Sequence, residues 1–314
     1  MSVRRHDPDA CVLDALVRPE LGHGPLPHPP IGRLAAFSDD LLRGGRRHAV
    51  RAVLRDVGTR WHVDLRDSSP VCEGAPAIGI DDARLAVLLA FGDALGLPTP
   101  DARLAEWIEL ELDARTWVGT TTPAAGIARV FGIARVFDAV LGALALAWPD
   151  RSRAGSCSLG AIVVLDDGEG VDVVAGGRGA DVHGIGASGW PGWLLPRRML
   201  RCDEHVTARV NPRPDSGGGG ARAGGDGQIA RYHFHRDGAV LVALDRISNP
   251  PHGLDRAGPP SPAYAARIAP DGSSTPLAAW QRHTVHAGDI VEVATAGGAG
   301  HGFPGWGIEF DWEP

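Results

Sequence analysis

Two histidines, His233 and His235 in RYHFHRD, are spaced so that they can do chemistry together. On an extended strand, side chains two residues apart project to one face. The pair can therefore offer two nitrogen ligands to a metal, or an acid and a base side by side. The same spacing suits the polar outer face of a half-solvated strand, with Tyr232 and Phe234 turned inward. The segment RCDEHVT carries Asp203, Glu204 and His205. There Asp203 and His205 share a face, and a carboxylate beside a histidine orients its tautomer and raises its basicity; solvated surface charge is the alternative. His301 lies between glycines, in the kind of loop that carries chemistry on a rigid β scaffold, not far from His286 and the turn at Asp289. Asp215 with Arg209 and Arg222 can clamp a substrate carboxylate, or tie the neighbouring glycines with a charge-assisted bond. Trp190 belongs to a set of nine tryptophans that can line an apolar pocket or pack as core. Cys157 needs a nearby histidine to act as a nucleophile.

The elements that must position these groups are organised by glycine. The stretch from Asp215 to Gln228, DSGGGGARAGGDGQ, holds seven glycines in fourteen residues. Each interior glycine would cost a helix roughly 1 kcal/mol, so this is backbone that turns, or lies flat against another segment. Its consecutive N–H groups can also face an oxyanion. A second cluster, TAGGAGHGFPGWG, runs from Thr295 to Gly307. Between and before the clusters come short strand candidates, AIVVL, VDVVA, HVTARV, IARYHFH, AVLVALD, AARIA, HTVHAGDIVEVAT and GIEFDW, separated by Gly and Pro in the manner of a sandwich or barrel. Upstream, residues 33–55 read as two short helical pieces broken at Gly44 and Gly45. WHVDL reads as a strand, residues 80–95 as a helix opened by two aspartates, and residues 123–147 as a helix with Pro123 at its first turn and Pro149 stopping it. In the latter GIARVF occurs twice in succession, which puts equivalent residues on different helix faces. The expected fold is α+β: a helical and mixed N-terminal half and an antiparallel, β-rich C-terminal half. Its parts are an extended arm (1–31), a mixed α/β region (32–160) and a glycine-turn β region (161–314).

The chain has 314 residues, 44% of them apolar, ample for a core without staples. A net charge of −7 with scattered arginines leaves no basic footprint for nucleic acid. Four distant cysteines without metal spacing read as reduced thiols. No stretch reads as a signal sequence or as the ~20 apolar residues of a membrane span, so the expected place is the cytoplasm.

The motifs SGGGGARAGGDGQ, Asp245-Arg246, PPHGL at Pro250, AGD at Ala287 and TAGGAGHG at Thr295 follow one another in the order of a known family. With VDLRDSSP at Val63, PAA at Pro123, DAVLGALALAWP, AGSCS at Ala154 and GGRGA at Gly176, the chain resembles the hydantoinase B/oxoprolinase family from about Pro29 to about Gly302. These are the B components of ATP-dependent hydantoinases and oxoprolinases, related to a subunit of acetone and acetophenone carboxylases. The resemblance implies an enzyme or enzyme subunit acting on a small cyclic amide, lactam or related carbonyl compound by acid/base chemistry. In a variant of this expectation the scaffold is reused in a biosynthetic ring closure, hydrolysis or rearrangement. A non-catalytic subunit of a larger ATP-dependent complex is the alternative. Expected partners are the small-molecule substrate, a hydantoinase A-like subunit and further copies in a homo- or hetero-oligomer, with neither nucleic acid nor membrane. The family's GGTH-type and His-His-x-Asp-type motifs, which the resemblance links to metal, have no counterpart in residues 1–60, so the chain reads as a member without that segment; a divalent metal remains open. GGAGHGFP puts His301 where the family has tyrosine. GGRGADVHG lacks the GK[ST] of a Walker loop, so no ATP site is expected in this chain.

Overall fold

The computed structural model describes residues 34–58, 60–97, 102–149, 151–165, 170–190, 192 and 205–304. The expected N-terminal arm, Asp203, the GIEFDW strand, and Trp193, Trp306 and Trp312 lie outside these residues.

Residues 33–55 depart from the sequence expectation. They form not two helical pieces but a hairpin of β1 (Leu34–Arg43) and β2 (Arg46–Asp56), with Arg43 opposite Arg46. Gly44 and Gly45 both have positive φ, 59° and 73°, which is the two-residue turn whose twist matches paired strands. Once the turn fixes the register, His48, Val50, Ala52 and Leu54 face inward at period two. β3 (Trp61–Asp64) joins antiparallel to β2, and β4 (Ile108–Glu111) joins parallel to β3.

Against this sheet lie helices α1 (Ile80–Ala94) and α2 (Ile127–Ala147). The backbone N–H of Gly79 donates to Asp82 Oδ2 at the start of α1 (2.9 Å), satisfying one of the groups a helix end leaves free. α2 starts four residues after Pro123, with Gly126 as its N-cap. The duplicated GIARVF sends its two arginines to different places. Arg129 pairs with Asp82 of α1 (2.7 Å), and Arg135 points into the interior, 0% exposed. Contrary to the sequence reading, α2 is long and apolar enough to cross a membrane, with a mean hydropathy of 1.9, but 89% of that window is buried. It is the central core helix, and Arg135 and Asp138 inside it are bonded to other segments.

The C-terminal half is a sandwich. One sheet has the order β12–β9–β5–β6 and the other β11–β10–β13–β8–β7, all antiparallel. Their strands are β5 (Ala161–Leu165), β6 (Gly170–Val174), β7 (Val206–Pro212), β8 (Gln228–Phe234), β9 (Gly238–Leu244), β10 (Tyr264–Ile268), β11 (Ser274–Pro276), β12 (Arg282–Val285) and β13 (Ile290–Ala294). Alternation along β5 and β9 builds two cores at once. Val163, Leu165, Val240, Val242 and Leu244 pack with Tyr232, Phe234, Val291 and Val293 of the five-stranded sheet, while Ile162 and Ala243 join the core around the helices. The layers therefore run sheet, helices, sheet, sheet, and the two halves share apolar packing.

They also share a buried ion cluster. Arg135 Nη1 donates to Asp39 Oδ2 (2.7 Å), and its Nη2 to Asp245. Arg246 donates to both oxygens of Asp39 (3.0 Å each) and to Asp138 Oδ2 (2.8 Å). Asn249 adds a bond to Asp39 Oδ1 (2.8 Å), and Ser158 bonds Asp138. Burial alone would raise the Asp39 pKa, but Arg135 and Arg246 outweigh it and hold it well below the carboxylate range. Burial dominates at Asp138 despite both arginines, and pushes its carboxyl up to about 6.

A pH test follows. A carboxyl whose folded pKa of about 6 exceeds the ordinary aspartate value of 3.8 favours the fold at low pH, and loses that contribution as pH rises between the two. The depressed Asp39 contributes stability above its unfolded pKa, unchanged across this window. His252, which burial pushes down to about 4, has the opposite slope to Asp138 but is common to wild type and variant. In urea unfolding, the stability of wild type relative to Asp138→Asn is expected to fall by roughly 1–3 kcal/mol between pH 4.5 and 7.5. A difference that does not move with pH contradicts the assignment.

Candidate functional site

The glycine clusters meet. Segments 176–187, 216–227 and 295–302 interleave through backbone bonds. Gly177 N–H donates to Ala296 O (3.1 Å), Ala180 N–H to Ala299 O (3.0 Å), Gly218 N–H to Gly298 O (2.8 Å), Gly225 N–H to Arg178 O (2.9 Å) and Gly298 N–H to Gly225 O (2.8 Å). Side chains would keep these backbones apart. A Cβ on Gly224 would lie 1.9 Å from Gly298 O, and one on Gly177 2.0 Å from Gly225 O. The N–H groups of Gly217 and Gly218, read in the sequence as open to an oxyanion, are engaged internally, Gly217 with Asp226 Oδ1 (2.9 Å). Asp226, which also accepts from Ser216 N–H (2.9 Å), is the carboxylate that ties this loop. Asp215 is exposed at φ 58° and pairs with neither Arg209 nor Arg222 among the described residues.

Where this lattice meets the C-terminal end of α1, a cleft of about 650 Å³ opens, lined by Asp93, Leu95, Arg151, Arg153, Arg178, Asp181 and His183 among others. Its floor is a buried ion pair: Arg153 Nε donates to Asp93 Oδ2 and Nη2 lies against Oδ1, both at 2.5 Å, with the arginine side chain 7% exposed. Arg153 Nη1 and Arg178 Nε are buried donors with no hydrogen-bond partner among the described residues. The Arg178 guanidinium also sits 6.0 Å over the ring of Trp190, a cation–π contact that fixes its direction. Asp181 Oδ1 accepts the backbone N–H groups of His183 (2.9 Å) and Gly184 (3.0 Å), so His183 is held at the rim by a turn while its ring is exposed.

The residues singled out in the sequence are distributed differently. His233 is half-buried on the outer face of β8, opposite Thr207 and Ile290, while Tyr232 and Phe234 are the buried residues of that strand. His235 is exposed just beyond β8; its ring Nε2 is 2.8 Å from Thr207 Oγ1, and its N–H donates to His205 O (2.8 Å). His205 and His235 are thus neighbours through backbone. Arg209 is exposed on β7 opposite Arg231. His301 is 4% exposed, Nε2 3.5 Å from Asp255 Oδ2, and its backbone exchanges two bonds with Arg222 (2.9 Å each). None of these residues lines the cleft, and only Trp190 reaches it, through Arg178. Among the described residues no group of three His, Cys, Asp or Glu side chains is placed to hold a metal, so the residues present do not fit the metal implied by the resemblance. Cys157 is buried, and burial with Asp245 nearby pushes its thiol up to about 12, which leaves it protonated and unreactive.

Comparison with known proteins gives a consistent result. The family model described as Hydantoinase B/oxoprolinase matches residues 26–304. The chain is 27% identical over 210 residues to 5-oxoprolinase 1 of Arabidopsis thaliana, covering 62% of this chain and 16% of that protein. It is 35% identical over 92 residues to an uncharacterised protein of Methanocaldococcus jannaschii, covering 29% and 16%. The fold is similar to that of acetone carboxylase in its nucleotide-free structure (TM-score 0.72, 12% identity, 87% of this chain and 45% of that one). It is also similar to that of the ATP-dependent caprolactamase from Pseudomonas jessenii (TM-score 0.70, 20% identity, 87% and 52%). The chain thus spans about half the length of these solved structures and about a sixth of the curated relatives.

The lattice can be tested by adding one methyl group. Gly224→Ala drives a Cβ into the Gly298 carbonyl and is expected to destabilise by about 3 kcal/mol or more. Gly219→Ala, with nothing within 4 Å, is expected to stay within about 0.5 kcal/mol of wild type. Equal melting temperatures for the two variants would contradict the close packing.

Proposed function

Taking as premise that the chain belongs to the hydantoinase B/oxoprolinase family, whose model matches residues 26–304, we propose that it is an enzyme or enzyme subunit of that kind. Its substrate is a small cyclic amide, lactam or related carbonyl compound held in the cleft between Asp93 and His183. One observation carries this reading: a cleft of about 650 Å³, in the size range of small-ligand sites, has two arginines in its wall with unused buried N–H donors, Arg153 Nη1 and Arg178 Nε. Donors held in the wall of a site stabilise the negative charge that grows on a carbonyl oxygen under attack. His183 at the rim supplies an exposed imidazole for proton transfer. The names of the relatives fit, since a 5-oxoprolinase and a caprolactamase act on cyclic amides and an acetone carboxylase on a ketone.

Activation by ATP, if the reaction uses it, falls to another component, an A-like subunit in a cytoplasmic hetero-oligomer. Employment of the same cleft in a biosynthetic ring closure, hydrolysis or rearrangement is a variant of the same reading. The second reading is a non-catalytic component of a larger assembly.

Calorimetric titration with 5-oxoproline and caprolactam, of the chain alone and with a co-expressed A-like subunit, separates the readings. Binding or turnover that Arg178→Met lowers at least about tenfold, with the melting temperature held within about 2 °C, is the expected result. Absence of binding in both preparations, or an Arg178→Met variant that binds as wild type, would remove the cleft from the function.

A further inference from the structure

A second reactive constellation lies away from the cleft, where the hairpin of the first sheet meets the turn after Pro70. His48, an inward residue of β2 only 2% exposed, places Nδ1 4.0 Å from Cys72 Sγ and Nε2 3.4 Å from the carbonyl oxygen of Arg43. The carbonyl can only accept, so the tautomer it selects carries hydrogen on Nε2 and leaves the Nδ1 lone pair facing the thiol. Burial, with Arg43 and Arg46 nearby, lowers the His48 pKa, which keeps that lone pair free at neutral pH.

Cys72 is half-buried and opens a tight turn in which Ala75 N–H donates to its carbonyl (3.0 Å). The guanidinium of Arg43 reaches the same turn, donating to Gly74 O (2.5 Å), and lies 5.1 Å over the Trp280 ring. Arg43 Nε and Trp280 Nε1 are buried donors with no hydrogen-bond partner among the described residues. A thiol next to a base that is itself oriented by a third group, with a guanidinium reaching the same turn, is the arrangement that activates cysteine. Cys157 is fully buried, and burial pushes its thiol up to about 12.

We propose that Cys72, with His48 as its base, is a nucleophilic thiol site that undergoes exchange with small disulfides. In the step, His48 Nδ1 accepts the Sγ proton as Sγ attacks one sulfur of the disulfide. A new Sγ–S bond forms and the old S–S bond breaks. The departing sulfur leaves with the electron pair as thiolate and takes up a proton from the imidazolium or from water. Cys72 is thereby oxidised to a mixed disulfide, and half of the reagent is reduced to a thiol.

The test uses the full-length chain with Cys11→Ser and Cys202→Ser, so that Cys72 and the buried Cys157 remain. Reaction with 2,2′-dithiodipyridine is followed by release of thiopyridone, and the modified peptide is identified by mass. Cys72 in the folded chain is expected to react at least about tenfold faster than in the urea-unfolded chain, and His48→Gln to abolish that advantage. A folded rate at or below the unfolded rate overturns the proposal, as does a folded His48→Gln variant that reacts like its parent. If His48→Gln fails to fold, the folded-to-unfolded ratio of its parent decides alone.

Discussion

Two guanidinium groups and three carboxylates, enclosed together with almost no water, are the constraint on which the rest of this structure depends. Arg135 comes from the central helix, Asp39 from the first hairpin, and Asp245 and Arg246 from the end of a sandwich strand. Charges taken out of water are tolerated only when paired; here the Nη groups and carboxylates pair, while Arg135 Nε and Arg246 Nε have no hydrogen-bond partner among the described residues. Each member therefore dictates where the others' segments lie. Asp138 adds a third carboxylate, whose pKa burial raises to about 6. Such a cluster is weak as a source of stability and strong as a specification, because removing one partner strands the others. It sits where the two halves of the chain are joined.

The second constraint is steric. The three glycine segments cross at distances that exclude a side chain, and their backbone groups satisfy one another. Buried backbone needs such partners, and a loop lattice without strands or helices can supply them only if it is nearly bare. Its rim is where side chains reappear. Arg178, Asp181 and His183 project from the lattice edge toward Asp93 and Arg153, so the lattice aims the candidate chemistry without supplying it. The fold is shared at 12% and 20% identity with longer proteins.

Much of the architecture was legible because it rests on local periodicity. The β strands of the sandwich alternate in sequence as they do in space, and Ile80–Ala94 carries its aspartates at its start. The family, too, was legible from the order of its glycine motifs. The hairpin of residues 34–56 was not, because Leu34 to Leu42 reads apolar at helical as well as at strand spacing, and the Gly44–Gly45 turn decides between them. Pro123 suggested a helix start that the chain delays to Gly126. Arg135 and Asp138 gave no hint of burial, since their partners lie about a hundred residues away in each direction. The histidines illustrate the reverse error. His233 lies on the face of β8 away from the core and His235 just beyond the strand's end, and the cleft drew on Arg153, Asp93 and His183, which no pairing in the sequence connects. Arg178, a lone cation inside GGRGA, was the one available clue.

The central claim is that the ion cluster joins two halves of the chain into one cooperative body. Hydrogen–deuterium exchange on wild type and Arg246→Leu tests it most directly, read in the hairpin of β1 and β2 and in the five-stranded sheet, which lie on opposite sides of the cluster. The account predicts that both regions lose protection together, by the same factor, because each opens with the joint. Loss confined to residues next to position 246, with the hairpin still protected as in wild type, would contradict it.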